Sequence, residues 1–146
     1  PILVEIQALV TPTNFGYPKR TASGFDLNRL NLLIAVIERR TKLKLNDKDV
    51  FINVVGGLKL QDSAADLAVC LAIASAVAGR KLSEDFVVFG EVGLGGEVRS
   101  AFRPDQRIAE AKKLGFAHAI APATVKDKFV VPVKDLRTTL IDYVNE

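Results

Sequence analysis

Apolar and polar residues alternate at the start of the chain. Val4, Ile6 and Ala8 stand between Glu5 and Gln7, the period of two expected of a strand with one wet face, which predicts a strand over residues 2–10. Pro12, Asn14, Gly16 and Pro18 then mark a loop over 11–19, and a short strand is expected at 20–23. Asp26 is placed to cap a helix running to Thr41, because Leu27, Leu30, Leu33, Ile34 and Ile37 recur at helical spacing. Arg29, Glu38, Arg39 and Arg40 fall off that stripe and are left for solvent or a partner. After a turn at 46–49, residues 50–55 are apolar on both faces, which predicts a central strand ended by Gly56-Gly57. Asp62 or Ser63 caps the next helix, and Asp66 falls in its first turn, where the helix dipole favours an anion. From Ala64 to Ala78 this helix is almost wholly Ala, Leu, Val and Ile, so it is expected to be buried on most sides, with Gly79 as its C-terminal cap.

The second half predicts a buried strand at 86–91, a glycine turn at 93–96 and a returning strand at 97–99. A helix follows at 104–114, with Pro104 in its first turn and Gly115 just past its end, then a strand at 117–121. A closing amphipathic helix is expected at 133–144, built on Leu136, Leu140 and Tyr143. Strands and helices intermix without strict alternation, which predicts an α+β fold. No linker, low-complexity stretch or repeat interrupts residues 1–146, so one domain is expected.

Composition changes this picture little. Apolar residues are 49% of the 146, enough for a sizeable core. The longest nearly apolar run, Leu67 to Ala78, is about half of what a membrane span requires, and no basic-then-apolar leader is visible. Cys70 is the only cysteine and sits in the apolar helical run, so it reads as a small buried hydrophobe; a cytoplasmic setting is expected. The sequence starts at Pro1 and contains no methionine, which suggests a piece of a longer chain. The formal charge of +3 is a mild excess, compatible with nucleic acid but not diagnostic of it.

The candidate motifs mostly exclude. The glycines from Gly90 to Gly96 do not follow G-x-G-x-x-G and lead into a strand, so a hairpin turn is the better reading; no G-x-x-x-x-G-K-[ST] occurs, and no ATP site is expected here. His118 is the only histidine, so neither a zinc site nor a serine–histidine triad is expected, and no cofactor is assigned to this chain.

Two segments together carry a resemblance. Asp49-Val-Phe-Ile-Asn-Val-Val-Gly-Gly57 is followed by Asp62-Ser-Ala-Ala-Asp-Leu-Ala68, and Val88-Phe-Gly-Glu-Val-Gly-Leu-Gly-Gly-Glu-Val98 is followed by the helix containing Arg107. This order of strand, capped helix, Gly-Glu hairpin and helix resembles the proteolytic domain of Lon. The wording of Val4–Val10, Pro12–Gly16, Phe51–Gly57 and Val88–Gly93 resembles the C-terminal Lon-like domain of the bacterial RadA (Sms) family, over essentially the whole chain. The resemblance implies a Lon-protease-like fold of the ribosomal protein S5 domain 2 type. It places Ala64 at the position of Lon's nucleophilic serine and Arg107 at that of its lysine base. Alanine offers no nucleophile, and arginine, a far stronger base than lysine, does not give up a proton near neutrality. Peptidase activity is therefore not expected. A one-residue shift to Ser63 turns the side chain by about 100 degrees, and capping is the better use of that serine. Arg99, Arg103 and Arg107 read first as a solvated basic face; the alternatives are that they hold Asp66 or Glu91, or that they face DNA.

What the resemblance implies for function is a non-catalytic scaffold and DNA-contact domain of a DNA-dependent ATPase that drives branch migration in recombinational repair. The parent is implied to form a hexameric ring, to act on single-stranded or branched DNA with a recombinase as a further partner, and to carry ATP, magnesium and zinc sites in domains absent here. The alternative is a degenerate peptidase-like domain that binds peptides or partner proteins. The candidate DNA contacts are Lys19 and Arg20, Arg39 and Arg40 with Lys42 and Lys44, and Lys112 with Lys113. No interleaving of aromatic and basic residues suggests base stacking, so contacts with phosphates are expected.

Overall fold

The computed structural model of the chain describes residues 3–56 and 62–144. Among the described residues, two three-stranded sheets, one hairpin and four α-helices make an α+β fold. The first sheet has the order β1-β3-β2 (β1 Glu5–Pro12, β2 Arg20–Ser23, β3 Lys48–Val55), with β1 antiparallel and β2 parallel to the central β3. The expected central position of β3 is thus observed, but only one of its faces is buried. Val50, Ile52 and Val54 point into the core, while Asn53 and Val55 face outward beside Gln7 and Glu5 of β1.

Helix α1 (Leu27–Arg40) joins β2 to β3. Asp26 caps it by accepting the Arg29 backbone N–H at 3.0 Å. Its buried face is Leu30, Leu33, Ile34, Val36 and Ile37; Leu27, expected on that face, is 44% exposed because it opens the helix beyond the edge of the core. A short 3-10 turn (Ser63–Ala65) leads into α2 (Asp66–Ala78), whose residues Leu67, Val69, Cys70, Leu71 and Ile73 are fully buried. Each such aliphatic side chain stabilises the fold by about 1.5–3 kcal/mol relative to exposure. Gly79 closes the helix in the left-handed conformation at φ +67°.

The strand expected at 86–91 is broken in two. β4 (Phe86–Val88) joins the second sheet, and β5 (Glu91–Val92) pairs antiparallel with β6 (Val98–Arg99). The break is at Gly90, whose φ of +153° suits glycine, and where a Cβ would lie 2.9 Å from Val98 Cγ1. Helix α3 (Pro104–Lys113) then leads to β7 (His118–Pro122), and the second sheet runs β4-β7-β8 with all strands parallel. β8 (Val130–Val133) was not expected. The helix predicted from 133 starts only at Leu136 as α4 (Leu136–Tyr143), capped by Asp135. Pro132, which has no N–H to donate, is tolerated because β8 is an edge strand. His118 packs its ring 5.3 Å from that of Phe86.

The main core gathers α1, α2, α4 and the inner face of the first sheet. A smaller cluster, with Ala64, Phe89, Ile108, Ala119 and Ala121, lies where α3 meets the second sheet. No described helix is long and apolar enough to cross a membrane.

Candidate functional site

Asp62 organises the two positions that the Lon resemblance nominates. Its side chain, rather than that of Ser63, caps the 3-10 turn, accepting the Ala64 N–H at 2.9 Å. Its other oxygen takes the Arg107 guanidinium, whose Nε also donates to the Phe102 carbonyl at 2.8 Å. Ala64 is buried, and its carbonyl accepts the Gly90 N–H at 2.9 Å, while the Gly90 carbonyl accepts the Leu67 N–H at 3.1 Å. The kink at Gly90 therefore stitches the hairpin strand to the start of α2. Burial pushes the Asp62 carboxyl up, but the Ala64 N–H and the Arg107 charge outweigh it and hold the group below its ordinary range. The residues at 64 and 107 thus meet through one carboxylate. Ala64 carries no hydroxyl, and the Arg107 guanidinium is taken up by Asp62 and the Phe102 carbonyl, so the arrangement braces α3 against the turn before α2.

The carboxylate of Asp66 is fully buried, and its partner differs from those expected. Arg29, from the face of α1 left for solvent or a partner, grips it in a two-pronged pair, with Nε donating to Oδ1 at 3.0 Å and Nη2 to Oδ2. The Val92 N–H adds a third bond at 3.0 Å. Burial raises the Asp66 carboxyl, opposed by Arg29 and the Val92 N–H, and the Arg29 guanidinium is itself raised by the hydrogen bond to Asp66. Arg99, Arg103 and Arg107 do not reach Asp66. Arg99 bonds Glu97 at 2.6 Å and lies 3.5 Å from Glu91, Arg103 sits 5.0 Å above the ring of Phe102, and Arg107 holds Asp62. The expected arginine partner is thus found for Glu91, which Arg99 approaches, but not for Asp66, which meets Arg29 because α1 and α2 pack together.

Two of the three basic sets converge. The loop at 13–19 is tied to the turn at 45–50 by the Thr13 N–H to Asp47 carbonyl and Val50 N–H to Lys19 carbonyl bonds, both 2.9 Å. The Asp49 carboxylate accepts the Thr13 hydroxyl at 2.9 Å and the Lys19 N–H at 2.7 Å. The Lys19 N–H above all, helped by Thr13, lowers the Asp49 carboxyl against the opposing effect of desolvation. The Leu45 N–H reaches back to Glu38 in the last turn of α1 at 3.0 Å, which draws the segment after that helix to the same end. Lys19, Arg39, Lys42 and Lys44 are exposed there. Arg20 is not available as expected: its guanidinium donates to the Leu45 and Lys48 carbonyls and holds the loop. Arg40 is exposed but donates to the Leu94 carbonyl at 3.1 Å. Lys112 and Lys113 lie apart on α3, where Lys112 is 3.6 Å from Asp127 and 5.6 Å from the ring of Phe129.

Charge is concentrated at the converged end. Residues 13–20 and 39–49 contain Lys19, Arg20, Arg39, Arg40, Lys42, Lys44 and Lys48 against Asp47 and Asp49, a net +5, so the rest of the chain carries −2 of the total +3. The same loop holds two side chains that sequence reasoning passed over, Phe15 and Tyr17, which are 91% and 92% exposed. The signal was present in Phe15-Gly-Tyr-Pro-Lys-Arg20, but nothing in it distinguishes an exposed ring from a buried one.

Residues 23–125 match the family described as subunit ChlI of Mg-chelatase. Among curated relatives, the DNA repair protein RadA of Escherichia coli (strain K12) is 51% identical over 123 residues, 84% of this chain and 27% of that protein. RadA of Aquifex aeolicus (strain VF5) is 46% identical over 126 residues, 86% of this chain and 28% of its own length. RadA of Listeria monocytogenes serovar 1/2a is 40% identical over 146 residues, the whole of this chain and 32% of that protein. The chain spans about a third or less of the length of these relatives. With 103 consecutive positions matched, the chain belongs to the family described as subunit ChlI of Mg-chelatase, and along most of its length it is similar to one part of the DNA repair protein RadA.

Proposed function

We propose that this chain is a non-catalytic DNA-contact and assembly unit, with a Lon-protease-like fold, of a RadA-type protein acting in recombinational DNA repair. The observation that carries the reading is the convergence of Lys19, Arg39, Lys42 and Lys44 on one end of the fold with a net charge of +5. A polyanion is attracted to such an end, and release of its counterions supplies binding without regard to sequence. Ala64 and Arg107, joined through Asp62, support a bracing role in place of peptide hydrolysis. Repetition of the basic end around a hexameric ring strengthens weak single contacts by multivalency. Hydrolysis of ATP, with its magnesium, and any zinc are assigned to other segments of the longer protein: this sequence has no phosphate-binding loop, and the described residues offer no cluster of three or more His, Cys, Asp or Glu to hold a metal. In this reading the protein works in the cytoplasm and meets the recombinase on DNA.

The test is the salt dependence of DNA binding. Each neutralised phosphate contributes a log–log slope of about 0.7 on a single strand and about 0.9 on a duplex. Lys19→Ala with Lys44→Ala is expected to flatten the slope by one to two such increments, whereas Lys112→Ala with Lys113→Ala leaves it unchanged. Equal effects of the two pairs, or none from the first, refute the placement of DNA. Sedimentation of the chain over a concentration series tests assembly; a strictly monomeric species at every concentration counts against the scaffold half.

A further inference from the structure

We infer that Phe15 and Tyr17 form a stacking platform for the bases of single-stranded nucleic acid, a reading that rests on the DNA-contact function proposed above and specifies which form of DNA the basic end takes. Among the described residues these two rings are the most exposed large hydrophobic side chains. A buried aromatic ring removes about 150–250 Å² from water, so leaving two of them out forgoes considerable stabilisation. Neighbouring exposed apolar groups of this kind mark a surface that meets a partner.

The loop that presents them is held rather than loose. Asp49 grips it from both ends through Thr13 and Lys19, Val50 closes it on the Lys19 carbonyl, and Arg20 pins its exit to the 45–48 turn. Gly16, between the rings, adopts φ +66°, and a Cβ there meets nothing within 4 Å, so the space around the tip is open. The partner's chemistry follows from the setting. The rings stand in the segment pair that carries +5, in which Lys19, Lys42 and Lys44 are exposed. A strand that places phosphates on those lysines and unpaired bases on the rings uses both features. A duplex uses only the charges, since its base faces are covered by stacking within the helix.

Three probes separate the contributions: an oligodeoxythymidine of about 20 nucleotides, long enough to cover a typical site, a duplex of the same length, and an abasic strand that keeps the phosphates and lacks the bases. Phe15→Ala with Tyr17→Ala is expected to weaken binding of the oligodeoxythymidine by about 5- to 150-fold for each ring that stacks. Duplex affinity, abasic-strand affinity and the salt slope should not change. These 146 residues contain no tryptophan, so Phe15→Trp supplies a single reporter within the chain. That variant should retain single-strand affinity, and its emission should be quenched by the oligodeoxythymidine and not by the abasic strand. If Lys19→Ala with Lys44→Ala flattens the salt slope while the rings can be removed without loss and the emission of the Phe15→Trp variant is not quenched, the stacking inference fails and the DNA-contact reading stands. If neither set matters, both fail. An equal loss on duplex and single strand overturns the single-strand assignment. If instead the double alanine variant changes only the sedimentation of the protein, the rings belong to a contact between copies, and the inference is overturned.

Discussion

Arg29→Met is expected to be among the most destabilising single changes at a surface-reaching position of this chain. The structure sets the size of the effect. Asp66 has no exposed side-chain surface, while that of Arg29 is 30% exposed, so the two partners are not equivalent. Removing Arg29 strands a buried carboxylate with one remaining donor, the Val92 N–H. Breaking a buried pair in this way costs about 3–5 kcal/mol, out of the roughly 5–15 kcal/mol that holds a typical domain together. Asp66→Asn keeps an acceptor for Val92 and leaves Arg29 free to turn to water, so its cost should be about 1–2 kcal/mol. The pH dependence provides a second check. Burial already raises the Asp66 carboxyl, and loss of Arg29 raises it further. An acid whose folded-state pKa lies above its unfolded value loses stability as pH rises from the unfolded value through the folded one. The unaltered protein itself loses stability from about 4 up to its own raised Asp66 pKa, so the extra deficit of Arg29→Met should open only above that point and grow by up to about 1.4 kcal/mol per pH unit until Asp66 is fully ionised in the folded variant. Urea unfolding followed by far-ultraviolet circular dichroism between acid and neutral pH measures this. Adding Asp66→Asn to Arg29→Met should bring stability back toward that of Asp66→Asn alone and abolish the extra pH dependence. Equal costs for the two single variants, or a pH-independent deficit, would refute the reasoning.

Gly90→Ala should destabilise the fold by about 1–3 kcal/mol, because its φ of +153° and the 2.9 Å approach of Val98 leave a Cβ no room; thermal melts check this, and trimming Val98 to Ala should recover only the steric part. Cys70 is fully buried and its thiol is pushed well up by that burial, so it should react with a thiol reagent only as fast as the protein opens; rapid stoichiometric labelling under native conditions would contradict the packing of α2. The Asp49 carboxyl is held low by Lys19 and Thr13, so the stability it contributes is present above its unfolded pKa of about 4 and is lost as pH falls below it. The protection of the amides in the 13–19 loop, taken relative to the intrinsic exchange rate at each pH, should accordingly fall in acid, and Asp49→Ala should show low protection already at neutral pH.

Much of the fold was legible because hydrophobic periodicity is a local property. The stripe from Leu30 to Ile37 could bury its face only as a helix, and the unbroken apolar stretch of α2 had to lie inside. The alternation of β1 gave its wet face for the same reason. The α+β class followed from the order of these elements, and the hairpin of β5 and β6 from its glycines. Ala64 and Arg107 could be singled out from the letters, and so could the basic pairs, since residue type and charge need no coordinates.

What a side chain is engaged with was decided only by tertiary structure. Arg29 and Arg39 look alike along α1, yet one grips a buried carboxylate 37 positions away and the other is exposed. Lys19 and Arg20 are adjacent, yet Arg20 is committed to two backbone carbonyls. The strand at 130–133 was missed because its partner β7 supplies the hydrogen bonds that a proline-containing run cannot advertise by itself. Phe15 and Tyr17 had the composition of core residues, and only the anchoring of their loop to the 45–50 turn leaves them in water. Periodicity states which face of an element avoids water, a free energy summed over neighbours in the chain. Pairing, burial of charge and convergence of cations depend on contacts between residues far apart in sequence, which form only once the apolar faces have packed.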